Sequence, residues 1–434
     1  MLKINIIGGG LAGSECALQL ANKGYIVNLY DIKGKTRTPA HHSDNFAEIV
    51  CSNSLKSDDI TTASGVFKQE LLALGSELLK VAYQVRVPAG QALAIDREDF
   101  SNIITEKLKN HKNINIFCED VNNFDKDAIT VVATGPLTTS SMCNALKEII
   151  GEDFLYFYDA AAPIVSLESI NMKKAFFASR YNKGDADYLN CPMNKDEYIN
   201  FYNELINAQT VELHEFEKNN IFESCMPIEI MAKRGIDSIR FGPLKPVGIF
   251  NPNSTEKPYA VVQLRKENQQ GTMYNLVGFQ TNLTFGEQKR VFSLIPGLEN
   301  AEFLRYGVMH TNNFVNFPKC LDKFSRLKNN NQIYIAGQLS GVEGYVESIA
   351  SGLYCAINID RILKNKELIS FSADTILGGL YNYLTNANIE SFQPINANFG
   401  ILNPIEVKDK KQRYVEYGIR SKNEIDKILN IIKE

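Results

Sequence analysis

Residues 3–31 read KINIIGGGLAGSECALQLANKGYIVNLYD. The apolar run Lys3 to Ile7 predicts a strand, glycines interrupt it, and helical periodicity follows from about Leu11 to Asn22. Gly24 marks the helix stop, and a second apolar strand ends at Asp31. Gly8, Gly10 and Gly13 therefore form GxGxxG between strand and helix, with a carboxylate 23 residues beyond the first glycine. Each part has a mechanical task. Gly8 makes the tight turn, Gly10 lets backbone N–H groups reach a pyrophosphate, and Gly13 permits close helix packing. Asp31 takes a ribose hydroxyl, while Gly9, Leu11 and Ala12 complete the loop. The stretch predicts a βαβ dinucleotide-binding unit.

Two later segments choose between dinucleotides. AITVVATGPLTTSS, residues 128–141, is a buried strand ending in a tight turn at Gly135, like a second flavoprotein signature. NQIYIAGQLSGVEGYVESIASGLYCAINIDRIL, residues 331–363, is a strand, then a loop with Gly337, Gly341 and Gly344, then a helix of small residues. The start of that helix suits the negative charge of a reduced flavin or a pyrophosphate. Together the three segments point to FAD. The fold expected is α/β: a Rossmann-type, glutathione-reductase-like FAD-binding domain formed by residues 1–155 plus 325–434. Residues 156–324, with aromatic turns followed by β-rich runs, read as an inserted α+β domain. The tail beyond Pro404 has the mixed-charge pattern of an amphipathic helix.

At 434 residues the chain suits two or three lobes with sizeable cores. Met1 leads into LKINIIGGG without the features of a signal peptide, and no segment approaches the roughly 18 apolar residues that span a bilayer. A cytoplasmic protein with no membrane association is expected. The eight cysteines show neither CxxC pairs nor zinc spacing, so thiols are expected and no metal site. His41 and His42 likewise lack ligand-spaced partners and read as loop or flavin-adjacent residues. The formal charge of −4 argues against nucleic acid, but Met226 to Lys328 holds 14 Lys and Arg against 8 Asp and Glu. A basic middle can hold a phosphate backbone on one face.

Several stretches resemble one family, the folate- and FAD-dependent RNA uracil-5-methyltransferases. GGGLAGSE, TPAHHSDNFAEIVCSNSLKSD, PAGQALAIDREDFS, YDAAAPIV, FESCMPIEIMAKRGIDSIRFGPLKPVG, PYAVVQLRKEN and AGQLSGVEGYVESIASG stand in the family's order. YNLVGFQTNLTFGEQKRVFSLIPGLENAEFLRYGVMH and FQPINANFGIL extend the match to nearly the whole chain. Asp31 departs from the family's usual Glu, with a shorter reach.

The resemblance implies formation of 5-methyluridine in RNA. It implies 5,10-methylenetetrahydrofolate as carbon donor, NADPH or NADH as reductant, and FAD between them. The T-loop uridine of tRNA is the default substrate. 23S rRNA is the alternative, since relatives in AT-rich genomes act on it and this chain, without Trp and rich in Asn, Lys and Ile, has such a composition. Carbon 5 of uracil is not nucleophilic until a thiolate adds to carbon 6. The resemblance gives that role to Cys225, in ESCMPIE, with Lys233 and Arg234 close behind as cations that would favour a thiolate. It makes Cys51 the candidate base for the carbon 5 proton. Tyr345 is placed against the flavin, by stacking or by packing below it. Arg240, Lys245, Lys289, Arg290 and Arg305 are candidates for RNA phosphates. A flavin oxidoreductase acting on a small molecule is a reading that the cofactor motifs alone also allow. A third is a flavoprotein that binds RNA without catalysis, or a relative of the larger wobble-uridine flavoproteins, whose helical C-terminal extension is not expected here.

Overall fold

The computed structural model describes residues 3–38, 40–151, 155–160, 162–182, 185–211, 226–252, 256–268, 270–307 and 309–433. The opening stretch folds as its pattern predicts: strand Lys3–Ile7, helix Leu11–Asn22 and strand Val27–Asp31. Strand Ala128–Val132, with every residue apolar or Thr, is buried along its whole length, as a central parallel strand must be.

Five parallel strands lie in the order Asn330–Ile335, Ala128–Val132, Lys3–Ile7, Val27–Asp31, Ile114–Cys118, and Arg326–Leu327 adds an antiparallel edge. Numbered along the chain, the five run 5-4-1-2-3, so the strand order reverses between Lys3–Ile7 and Ala128–Val132. Ligands of such sheets sit at the carboxyl ends of the strands flanking that reversal. Those ends lead into Gly8–Gly10 and Ala133–Gly135.

Helix Leu11–Asn22 packs on helix Tyr345–Leu363 almost backbone to backbone. A Cβ on Gly352 would stand 2.1 Å from the Ala12 carbonyl oxygen, so only glycine allows the approach. The packing buries Cys16 and Cys355 completely, and desolvation pushes both thiols up, Cys355 to about 12. They are core residues of the unreactive kind.

A second sheet, with its own core, runs Phe176–Ala178, Tyr188–Met193, Ala260–Lys266, Met273–Leu276, Ile164–Ser166, Phe303–Arg305, all neighbours antiparallel. Helices Lys195–Asn207 and Phe285–Phe292 bury Tyr198, Phe201, Val291 and Phe292 in that core. The two cores are joined by an antiparallel ribbon of Leu155–Ala160 with Met309–Phe314. Phe314, Phe317 and Leu321, sequence neighbours of the boundary drawn at 324, have their side chains in the first core.

The expected C-terminal helix spans Lys410–Lys433 and buries Tyr417, Ser421, Ile425 and Ile428, one face at helical spacing. It packs on helix Ala63–Ala73. Among the described residues, no helix is long and apolar enough to cross a membrane, and no cluster of three or more His, Cys, Asp or Glu side chains is placed to hold a metal ion.

Candidate functional site

A crevice opens at the reversal point, lined by Gly8, Gly10, Leu11, Ala12, Asp31, Gly135, Gly337 and Tyr345 among others. The glycines of the first loop, Gly8 to Gly13, divide into those that close it and one that leaves room. A Cβ on Gly13 would lie 1.8 Å from the Gly8 carbonyl oxygen, and one on Gly8, at φ +102°, would lie 2.4 Å from the Ala133 carbonyl oxygen. A Cβ on Gly10 would meet nothing within 4 Å. That space faces the first turn of helix Leu11–Asn22. Gly9 lies against the Phe46 ring, so it too belongs to the packed part of the loop.

Asp31 holds the loop from the next strand. Its Oδ2 accepts the Gly9 N–H at 2.6 Å and its Oδ1 accepts the Lys33 N–H at 2.8 Å. The carboxylate thus lines the crevice while fixed by two backbone donors.

The fit to a flavin dinucleotide is testable at the helix ends. Thr62, Ser76, Asp96, Thr139, Asn194, Thr284 and Thr375 each cap their own helix with a side-chain oxygen. Gly10 and Gly344, which start the two long helices at the crevice, supply no side-chain cap. The positive dipole end of a helix that starts this way suits an anion. The residues fit FAD: the start of Leu11–Asn22 would hold the pyrophosphate, and the start of Tyr345–Leu363 the ring side. Gly337, Gly341 and Gly344 shape the loop before the second helix. Gly341 packs on the Phe392 ring, and the Gly337 N–H donates to Ser351 Oγ at 2.6 Å.

Cys51 stands beside this second helix. The Cys51 N–H donates to the Tyr345 hydroxyl at 2.8 Å, and the residue is half-buried. Its neighbours are cationic: Arg97 donates to the carbonyl oxygens of Ile49 and Cys51, both at 3.0 Å, and Arg305 donates to that of Val50 at 2.5 Å. Arg265 donates to Ser52 Oγ at 2.5 Å and Asn53 Oδ1 at 3.0 Å. His41 lines the crevice, and burial with the nearby Lys33 cation lowers it to about 4, so it is neutral at neutral pH. His42 is also lowered, by burial and then by Arg305.

Cys225 lies outside the described residues. The cationic candidates are scattered. Lys245 and Lys289 are exposed; Arg240 stacks over Tyr259 at 4.0 Å and donates to its carbonyl; Arg290 pairs with Glu204 and Glu287. Arg305 is turned to the Cys51 loop. Arg97, Arg265 and Glu267 had no individual role in the sequence reading. They fall within AIDREDFS and VVQLRKEN, stretches quoted for their resemblance, and only the fold shows that they meet.

The family described as Glucose inhibited division protein A matches residues 3–367. The chain is 54% identical over 433 residues to Methylenetetrahydrofolate--tRNA-(uracil-5-)-methyltransferase TrmFO of Fusobacterium nucleatum, covering 99% of both chains. It is 51% identical over 433 residues to the protein of that name from Halalkalibacterium halodurans, again covering 99% of both. With the form II crystal of Aquifex aeolicus GidA it shares a fold at TM-score 0.67 and 16% identity, over 99% of this chain and 76% of that one. Nearly full-length identity above 50% leaves one placement: this chain belongs to the glucose inhibited division protein A family, and within it to the methylenetetrahydrofolate–tRNA-(uracil-5-)-methyltransferases.

Proposed function

We propose that this chain forms 5-methyluridine in tRNA, with 5,10-methylenetetrahydrofolate as carbon donor, NAD(P)H as reductant and FAD as the resident cofactor. The observation that carries this reading is the place of Cys51: its backbone is bonded to Tyr345, the first residue of the helix that opens uncapped on the crevice. A thiol at that point is within reach of chemistry at the ring side. The names of the relatives favour tRNA over 23S rRNA.

The protein's own work divides between two thiols. Cys225, as thiolate, forms a bond to uracil carbon 6, which makes carbon 5 an enolate carbon able to take up the one-carbon unit. Cys51 removes the carbon 5 proton, and the sulfur–carbon 6 bond then breaks to restore the ring and release the Cys225 thiolate. When bound, FAD supplies one-carbon transfer from folate and the hydride that completes the methyl group. The crevice glycines hold it, and Tyr345 fixes the Cys51 loop beside it.

We further propose that the antiparallel ribbon separates the FAD-binding domain from an insertion that faces RNA with Lys245, Lys289 and neighbouring cations. The reaction belongs in the cytoplasm. The test is incubation of the FAD-loaded enzyme, folate donor and NAD(P)H with undermodified tRNA and with unmodified 23S rRNA fragments, mapping new 5-methyluridine in each. The expected product is in tRNA. Product in the rRNA fragments alone would refute the substrate assignment, and product in neither would restore the small-molecule oxidoreductase.

A further inference from the structure

The loop that carries Cys51 is held by side chains from elsewhere in the chain. The peptide unit before Cys51 is fixed at both ends: Arg305 takes the Val50 carbonyl and the Tyr345 hydroxyl takes the Cys51 N–H. The unit after it is fixed by Arg97 at the Cys51 carbonyl. Peptide units are planar, so pinning both sets the direction of the Cys51 Cα–Cβ bond and leaves only rotation about χ1.

Arg97 is itself held. Its Nε and Nη2 both donate to Glu267 Oε2, at 3.0 and 2.5 Å, while Nη1 and Nη2 reach the two loop carbonyls. The Glu267 side chain is wholly buried and that of Arg97 only 14% exposed. A buried ion pair adds little net stability over apolar residues of similar volume, because desolvation offsets the attraction. Glu267 is not even fully satisfied, since among the described residues its Oε1 has no hydrogen-bond partner. What the pair does provide is geometry: a planar fork that meets one carboxylate and two carbonyls together, which the single ammonium of a lysine does not reproduce.

Two of the residues concerned lie in the second sheet and a third follows one of its strands. Arg265 lies in strand Ala260–Lys266, Glu267 follows it directly, and Arg305 ends strand Phe303–Arg305. Asn53 ties the same loop to that strand by donating to the Lys266 carbonyl at 3.0 Å.

We infer that Arg97, locked by Glu267, is a positioning residue: it aims the Cys51 thiol and makes that aim depend on the docking of the second sheet. The inference rests on the reading of Cys51 as the base in methyl transfer. Arg97 touches neither substrate nor cofactor in this account and acts through the Cys51 backbone.

The test uses FAD-loaded enzyme with tRNA and compares Arg97→Met/Glu267→Leu, Arg97→Lys and Cys51→Ala. The double variant removes both buried charges, so it avoids leaving one uncompensated, and Arg97→Lys keeps the charge opposite Glu267 should the double variant not fold. Three quantities are read: kcat per bound flavin, KM for tRNA, and the rate of Cys51 alkylation by iodoacetamide from peptide mass mapping. In the double variant kcat falls on the order of 10- to 100-fold, as expected for a misplaced reacting group, with KM within about twofold of the parent. Arg97→Lys lies between the two, and alkylation at Cys51 changes severalfold in both variants. Folded, flavin-loaded variants with parental kcat and alkylation rate would overturn the inference. Full methylation by Cys51→Ala would instead overturn the role of Cys51, and the alkylation rates would still report on the clamp.

Discussion

The Tyr345 hydroxyl accepts the backbone N–H of Cys51 at 2.8 Å across 294 positions of sequence. One bond therefore couples the first turn of the crevice helix to the proposed base. Tyr345→Phe keeps the ring and removes the acceptor, leaving a partly buried N–H without its partner, at a cost of about 1–3 kcal/mol. The expected outcome is a protein that keeps its flavin spectrum but transfers methyl several-fold more slowly in a single turnover. Unchanged single-turnover kinetics would show that the bond is incidental.

Gly10 and Gly13 have the same side chain and opposite surroundings. A Cβ on Gly10 enters open space in the crevice, whereas one on Gly13 meets the Gly8 carbonyl at 1.8 Å. Gly10→Val should fold and purify without yellow colour, its isopropyl group lying where the pyrophosphate passes. Gly13→Val should lose stability first, through overpacking of about 1–3 kcal/mol or more. Melting curves beside flavin absorbance separate the two outcomes.

Much of this site was legible before the fold. The strand, glycine turn, helix and Asp31 could be read because local geometry alone demands them: a tight turn and a close helix approach admit few residues. The cap difference was also latent in the sequence, with Gly10 and Gly344 at the position where seven other helices carry a capping Ser, Thr, Asp or Asn. The Cys51 clamp was not legible. Arg97 and Glu267 are 170 positions apart, and nothing in their own stretches marks either as a partner of the other. Arg305 read as a surface cation because charge counting cannot tell a solvated guanidinium from one folded onto a backbone carbonyl.

Glu70 gives stability a pH dependence whose sign is fixed by burial. Its carboxylate accepts the N–H groups of Ile376 and Leu377 at 2.6 and 2.9 Å and the Ser421 hydroxyl at 2.5 Å, yet desolvation dominates and raises it from 4.5 to about 7. The folded state thus holds this proton where the unfolded chain has released it. Its contribution is favourable at low pH and is lost as pH rises from about 4.5 to about 7, by on the order of 3 kcal/mol. Glu70→Gln should lack that component, so the stability difference between variant and parent should grow across this window in denaturant titrations at successive pH values. A constant difference would place the Glu70 proton elsewhere.

Lys289 and Arg290 are adjacent on helix Phe285–Phe292 and should differ in RNA binding. Arg290 already donates to Glu204 at 2.5 Å and Glu287 at 2.8 Å, whereas Lys289 is exposed. Lys289→Gln should weaken tRNA binding and reduce the slope of log affinity against log salt by about one phosphate contact. Arg290→Gln should leave the slope close to that of the parent. Equal slopes for parent and Lys289→Gln would remove this helix from the RNA face.

The origin of the methyl carbon tests the central claim most directly. The FAD-loaded enzyme is given undermodified tRNA, NAD(P)H and 5,10-methylenetetrahydrofolate labelled in its methylene carbon, beside a parallel reaction with methyl-labelled S-adenosylmethionine. The account predicts label in 5-methyluridine of tRNA from the folate alone, dependent on NAD(P)H and absent with Cys225→Ala despite intact flavin. Label arriving from S-adenosylmethionine, or folate label transferred at the parental rate by Cys225→Ala, would contradict it.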